Sequence, residues 1–112
     1  MRIAIPTTNG LLCPHFGHCD QFAFADVDIE RRAVRSMNLL AAPEHQPGLL
    51  PEWLIGHGVT LVIAGGIGAR AREILARSGV EVFAGAPEAP PLEVVNSYLD
   101  GSLEQGENAC DH

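Results

Sequence analysis

Seven consecutive residues near the start of the chain contain four side chains that can bind a metal: Cys13, His15, His18 and Cys19. The chain ends in a second pair, Cys110 and His112. Thiolate and imidazole are ligands that suit zinc, copper and iron clusters. The two segments therefore predict a metal or metal-cluster site that joins an early loop to the C-terminal tail.

Other interpretations of these residues stay open. The spacing in the loop differs from a zinc-finger knuckle, and a glycine turn with a buried cysteine would account for it without a metal. Cys13 and Cys19 could instead form a redox pair in a redox-sensing or regulatory interaction domain without bound metal, although they lack the thioredoxin spacing. His45, in a proline-rich loop, is a second-tier ligand. His57 lies at a predicted helix end, where a structural role suits it.

A glycine turn supplies a second candidate site, made of Gly65, Gly66, Gly68 and Arg70. The turn follows a strand and opens a helix, as in dinucleotide-binding motifs. It does not follow the first strand, however, and the chain is too short for a second nucleotide-binding half. The turn therefore predicts a site for a small anion, including an oxo- or thiometallate, at a helix start.

The composition excludes several classes of function. The 112 residues carry a net charge of −7 and no lysine, so the chain lacks the basic surface that nucleic acids or anionic membranes require. No signal peptide, membrane span or catalytic motif stands out, which favours a cytoplasmic protein that is not an enzyme. Thiols stay reduced in the cytoplasm, so metal binding outranks structural disulfides.

Hydrophobic patterning places these residues on a single α/β domain over residues 1–104, followed by a Cys-x-His tail over 105–112. Five strands are predicted, at 2–6, 21–27, 33–40, 59–64 and 80–83. Three helices are predicted, at 49–57, 69–78 and 92–100. Three consecutive strands can form an antiparallel meander, and strands that arrive by helical crossovers should lie parallel to the first. The result is a three-layer domain whose mixed five-stranded sheet has helices on both faces. With few aromatic residues, we expect aliphatic side chains and alanine to build the core.

Five stretches resemble the dinitrogenase iron–molybdenum cofactor biosynthesis family, which includes NifX-type carriers and the C-terminal domain of NifB-type proteins. They are residues 1–6 (MRIAIP), 15–22 (HFGHCDQF), 47–51 (PGLLP), 58–68 (GVTLVIAGGIG) and 95–103 (VNSYLDGSL). The resemblance implies a ribonuclease-H-like fold, a stand-alone member, and a non-catalytic carrier or assembly role for an iron–sulfur or molybdenum-containing cluster. The family's His-Phe-Gly element maps onto His15, Phe16 and Gly17.

The resemblance leaves the remaining cysteines and histidines as features of this chain, and their number favours direct ligation of the metal. We expect cluster-assembly or acceptor proteins as partners, and zinc as the occupant of a recombinant sample. Whether the two Cys-x-His segments meet within one chain or across a homodimer stays open.

Overall fold

The computed structural model describes residues 1–44 and 48–106. The strands are β1 (Arg2–Thr8), β2 (Leu11–Leu12), β3 (Gln21–Asp28), β4 (Ala33–Ala41), β5 (Leu61–Ile63) and β6 (Glu81–Phe83). The helices are α1 (Leu49–Gly56), α2 (Ala69–Arg77) and α3 (Pro91–Asp100). Among these helices none is long and apolar enough to cross a bilayer.

The sheet is mixed, with the strand order β4-β3-β1-β5-β6. The early strands β1, β3 and β4 pair antiparallel, whereas β5 and β6 run parallel to β1. This arrangement confirms the predicted meander and the predicted parallel crossovers. The predicted strand number was wrong, because β2 pairs with the end of β1 as a sixth strand. Two residues are too few to show a repeating pattern in the sequence.

Side chains of β1 point alternately to the two faces of the sheet, as the period of a strand requires. Ala4 faces a core that contains Leu54 of α1 and Leu75 of α2. Ile3 and Ile5 face a second core, which contains Val94 and Val95 of α3. Helices therefore cover both faces, and the predicted three-layer architecture is confirmed.

Aromatic residues concentrate in one of the two cores. Phe22 and Phe24 lie on the side of α1 and α2, and each ring contacts Trp53 at a centroid distance of 5.6 Å. His57, at the C-terminal end of α1, packs against Trp53 at 4.8 Å. This contact supports the structural role predicted for His57. On the α3 side of the sheet the described buried residues are aliphatic, with Phe83 and Tyr98 packed against them, whereas the other side is built around aromatic rings.

Strands β5 and β6 begin later than predicted because the backbone N–H groups just before them bond to the preceding helices. Strand β5 was predicted to begin at residue 59, but the Val59 N–H donates to the Leu54 carbonyl and closes the end of α1. The Val80 N–H donates to the Leu75 carbonyl in the same way at the end of α2. Each strand begins only after the residue that makes the last backbone hydrogen bond to the preceding helix.

Candidate cofactor site at the carboxyl edge of the sheet

The loop over residues 13–19 is held to the core by one aromatic anchor. Phe16 is 4% exposed and begins the 3-10 turn Phe16–His18. Its ring contacts Phe22 edge-on at a centroid distance of 5.8 Å. At the start of the loop, the Cys13 N–H donates to the Pro6 carbonyl at 2.8 Å. The loop therefore has a defined position although its histidines are exposed.

The same loop is hydrogen-bonded to the glycine turn that follows β5. The Phe16 N–H donates to the Gly66 carbonyl at 2.9 Å, and the Gly66 N–H donates to the Pro14 carbonyl at 2.7 Å. A Cβ atom on Gly65 would lie 3.0 Å from Pro14 Cα. Loop and turn thus lie together where β1 and β5 end, which is the edge where open α/β sheets place ligands.

A cleft of about 250 Å³ opens beside this loop. Its walls come from the loop, the segment after β4, the start of α1 and the start of α2. The lining residues are Phe16, Gly17, Cys19, Ala42, Pro43, Glu44, Gly48, Leu50, Pro51, Arg70, Ala71 and Ile74. Most of this wall is apolar, with one positive charge from Arg70 and one negative charge from Glu44. Apolar walls with few polar groups are typical of cofactor pockets.

The four predicted loop ligands differ in exposure. His15 and His18 are exposed, with ring centroids 6.2 Å apart. Cys13 is 5% exposed, and its thiol donates to the His15 carbonyl at 3.3 Å. The half-buried Cys19 thiol donates to the Phe16 carbonyl at 3.4 Å. Within residues 1–44 and 48–106, no three His, Cys, Asp or Glu side chains form a group able to hold a metal. Joint ligation by the four would require the loop to rearrange.

The environment of Cys19 keeps its thiol protonated. Burial, followed by the nearby Cys13 and Asp20, raises the pKa of Cys19 to about 12, against an opposing backbone hydrogen bond. A thiol with so high a pKa is a poor nucleophile at neutral pH, because the thiolate is the reactive species. This disfavours the redox-pair interpretation. A metal would have to displace the proton, as cysteine-bound metals do.

The main role of the glycine turn over residues 65–68 is to hold the loop over residues 13–19 in position. The Gly66 N–H is taken by Pro14, and the Gly65 carbonyl accepts the Gly85 N–H at 2.7 Å. Gly65 and Gly66 are buried. The part of the predicted anion site that faces the solvent is Gly68, at the start of α2, together with the exposed Arg70.

Three predicted ligands, His45, Cys110 and His112, lie outside the described residues. Sequence reasoning had missed most of the apolar cleft wall, including Ala42, Leu50 and Ile74. Ala42 follows β4, Leu50 lies in α1 and Ile74 lies in α2, and no sequence motif relates them. In the sequence, the only feature that could have indicated this cleft wall was the proline-rich linker that follows β4.

The fold and the cleft define a small α/β domain with a candidate cofactor site, near thiol and imidazole side chains, at the carboxyl edge of its sheet. The chain belongs to the dinitrogenase iron–molybdenum cofactor family, whose sequence profile matches residues 1–101. The family predicted from the sequence is thereby confirmed.

Three relatives illustrate the similarity. An uncharacterized protein of Methanocaldococcus jannaschii is 30% identical, over 96% of this chain and 92% of its own length. The crystal structure of PH0822 has a TM-score of 0.86 at 29% identity, covering 94% of each chain. The apo form of the orange protein from Desulfovibrio gigas has a TM-score of 0.70 at 23% identity, over 96% of this chain and 93% of that one. The last similarity concerns the fold alone.

Proposed function

We propose that this protein binds a metal–sulfur cluster, iron–sulfur or molybdenum-containing, and carries it for cofactor assembly without catalysing a reaction. The observation that carries the proposal is the 250 Å³ cleft between the loop over residues 13–19, called the Cys/His loop below, and the start of α2. The family supports an association with a metal cluster. Soft thiolate and imidazole ligands suit such a cargo.

Direct bonds from the chain would hold the cluster. Cys19 lines the cleft, and Cys13, His15 and His18 lie on the same loop. Binding would replace the hydrogen bonds that the two thiols donate to the His15 and Phe16 carbonyls. Further proposed ligands come from elsewhere in the chain: His45, Cys110 and His112.

Arg70 would bind the cluster by charge. The protein is acidic overall, with a net charge of −7, so an anionic metal–sulfur cluster needs a local cation. Arg70 stands at the first turn of α2, where the helix dipole also favours negative charge. Gly68 begins this helix, whereas Gly65 and Gly66 would act indirectly by holding the loop.

Other parts of the proposal rest on the resemblance and on composition. We assign the domain over 1–104 to the ribonuclease-H-like class and treat 105–112 as an appended metal-binding tail. Assembly or acceptor proteins in the cytoplasm would be the partners. Zinc would occupy the site when the protein is produced without its cluster.

Anaerobic purification followed by element-specific metal analysis and an ultraviolet–visible spectrum tests the proposal. We expect iron or molybdenum with sulfide-to-metal absorption, and loss of both in a Cys13→Ser/Cys19→Ser variant. Arg70→Ala should weaken cluster retention, while Arg72→Ala, on the same helix but outside the cleft wall, should not. A chain that takes up no cluster after reconstitution with iron, sulfide and thiomolybdate would rule out the proposed function.

A further inference from the structure

The two edge strands of the sheet differ in length. Strand β6 has three residues, whereas β4, at the opposite edge, has nine. Proteins keep edge strands from pairing with other chains by making them short or by placing lysine or proline on them. Strand β4 contains neither lysine nor proline, and within the described part of the chain it pairs with β3 alone. It is therefore a long edge that lacks these protections.

The backbone groups of β4 are divided between its two sides. The Ala42 N–H donates to the Asp20 carbonyl at 3.0 Å, one step beyond the last residue pair of β3 and β4. In an antiparallel ladder every second residue bonds to the neighbouring strand, and the residues between them direct their N–H and C=O groups to the other side. Met37, Leu39 and Ala41 therefore direct both of their backbone groups away from β3.

A bulge limits this outward row at one end. Neighbouring residues of β3 pair with Ser36 and Val34, so the register skips Arg35. Because a bulge bends the strand and disrupts the ladder, a further strand can pair regularly only with the residues after Arg35. The centre of the outward row that remains is Leu39.

The segment after the bulge is complementary to itself. In an antiparallel pair of two copies with a two-fold axis at Leu39, this residue lies opposite its own copy, and Met37 lies opposite Ala41. Every outward N–H and C=O group of these three residues then has a partner in the second copy. On the other face of the sheet Asn38 lies opposite Leu40. No like charges are opposed in this register.

Burial and charge both favour contact at this strand. Leu39 is 55% exposed, the largest value among the large apolar side chains of the described residues. Directly opposed side chains lie about 4.5–5.5 Å apart, so two copies of Leu39 would cover each other. The protein has a net charge of −7, yet β4 carries no acidic residue, and its single charge is Arg35. Two acidic chains can therefore meet along β4 without opposing carboxylates on this strand.

We propose that β4 is a dimer interface, at which two copies of this chain pair antiparallel about a two-fold axis at Leu39 and form one continuous sheet. Each copy contributes the five-strand path β4-β3-β1-β5-β6, and a sheet of about ten strands is within the range of open twisted sheets. The inference goes beyond the proposed function, because Met37, Leu39 and Ala41 do not line the cleft.

The pairing separates the two clefts of the dimer. Because the two β4 strands run antiparallel, the carboxyl edges of the two sheets face in opposite directions. Each cleft has Ala42 and Pro43, which follow β4, in its wall and opens at its own end of the joint sheet. The dimer therefore needs no metal, unlike a dimer that is bridged by cysteine and histidine ligands.

Light scattering of the full-length chain, with and without chelator, tests the interface. We expect about twice the chain mass in both samples. Leu39→Lys places two like charges opposite each other and should weaken the dimer about tenfold or more. Ile29→Lys is the matched control, since Ile29 is 52% exposed in the turn between β3 and β4, and this variant should stay dimeric. A chain that is still monomeric at about 1 mM would overturn the proposal, as would a dimer that chelator dissociates or that Leu39→Lys leaves intact.

Disulfide cross-linking tests the register by a second route. Hydrogen-bonded antiparallel pairs have Cα atoms about 5.5 Å apart, which lies within the disulfide range of about 4.4–6.8 Å. In a chain whose three native cysteines are replaced by serine, Leu39→Cys should form a covalent dimer on oxidation with diamide. Asn38→Cys is the control, because its two copies would be diagonal neighbours about 7–8 Å apart and should cross-link far more slowly. Equal rates for the two variants, or no cross-link at Leu39→Cys, would overturn the register.

Discussion

Gly65, which follows β5, lies close against the Cys/His loop. A Cβ atom there would meet the backbone of Pro14 at 3.0 Å, and backbone cannot turn aside as a flexible side chain can. We expect Gly65→Ala to cost about 1–3 kcal/mol of unfolding free energy, the usual range for overpacking. Gly68→Ala, whose Cβ meets nothing within 4 Å, should stay within about 0.5 kcal/mol. Urea unfolding measures the unfolding free energy of both variants. Equal values would show that the loop can move away from residue 65 at little cost.

Cys19 should make stability depend on alkaline pH. Its pKa rises from 9.0 to about 12 on folding, chiefly because the thiol is buried. Between these values the unfolded chain loses the proton while the folded chain keeps it, so stability is full below about pH 9 and falls as the pH rises towards 12. We expect Cys19→Ala to lose less stability than the wild type over about pH 8–11, as measured by urea unfolding. If the stability of the wild type and of Cys19→Ala fell equally with pH, the Cys19 thiol would not be the cause of the pH dependence.

Helix α1 joins the aromatic core to the cleft. Leu54 is fully buried on its inner face, whereas Leu50 and Pro51 form part of the cleft wall. Leu54→Ala should cost about 2–5 kcal/mol, the range for a deleted core leucine. The exposed Glu52 gives a control on the same helix, and Glu52→Ala should change stability by less than about 0.5 kcal/mol. Trp53, the single tryptophan, reports both transitions by fluorescence. A mild effect of Leu54→Ala would mean that α1 is not an integral part of the fold.

At the scale of the whole molecule, a bound cluster should stabilise the fold, because a ligand that binds only the folded state shifts the equilibrium towards it. The gain is about 2.7 kcal/mol when free ligand is at a hundred times Kd. We expect the cluster-loaded protein to unfold at a higher urea concentration, and chelator treatment to restore the curve of the unloaded protein. Identical curves before and after loading would mean that the cluster does not bind the folded domain.

The sequence was sufficient to predict those strands and helix ends that depend on neighbouring residues alone. The mixed sheet followed from the order of apolar runs, because consecutive strands pair antiparallel and helical crossovers make strands parallel. The helix ends near Gly58 and Gly79 followed from glycine, which alone adopts their φ of +76° and +78° without strain. The ligand-rich loop and its placement after the first strand were also visible in the sequence. Strand β2 was not, because it exists only through its pairing with β1.

Only the tertiary structure decided what surrounds the cysteines and histidines of the loop. The cleft brings together Ala42, Leu50 and Ile74, which no local pattern relates. Burial, which depends on the packed fold, raises the pKa of Cys19 and separates it from the exposed histidines on the same loop. The hydrogen bond from the Gly106 N–H to the Gly85 carbonyl joins residues that are distant in the chain. Sequence by itself determined which candidate ligands are present, whereas packing decided that Cys19 lines the cleft while Cys13 is buried, because burial depends on long-range contacts.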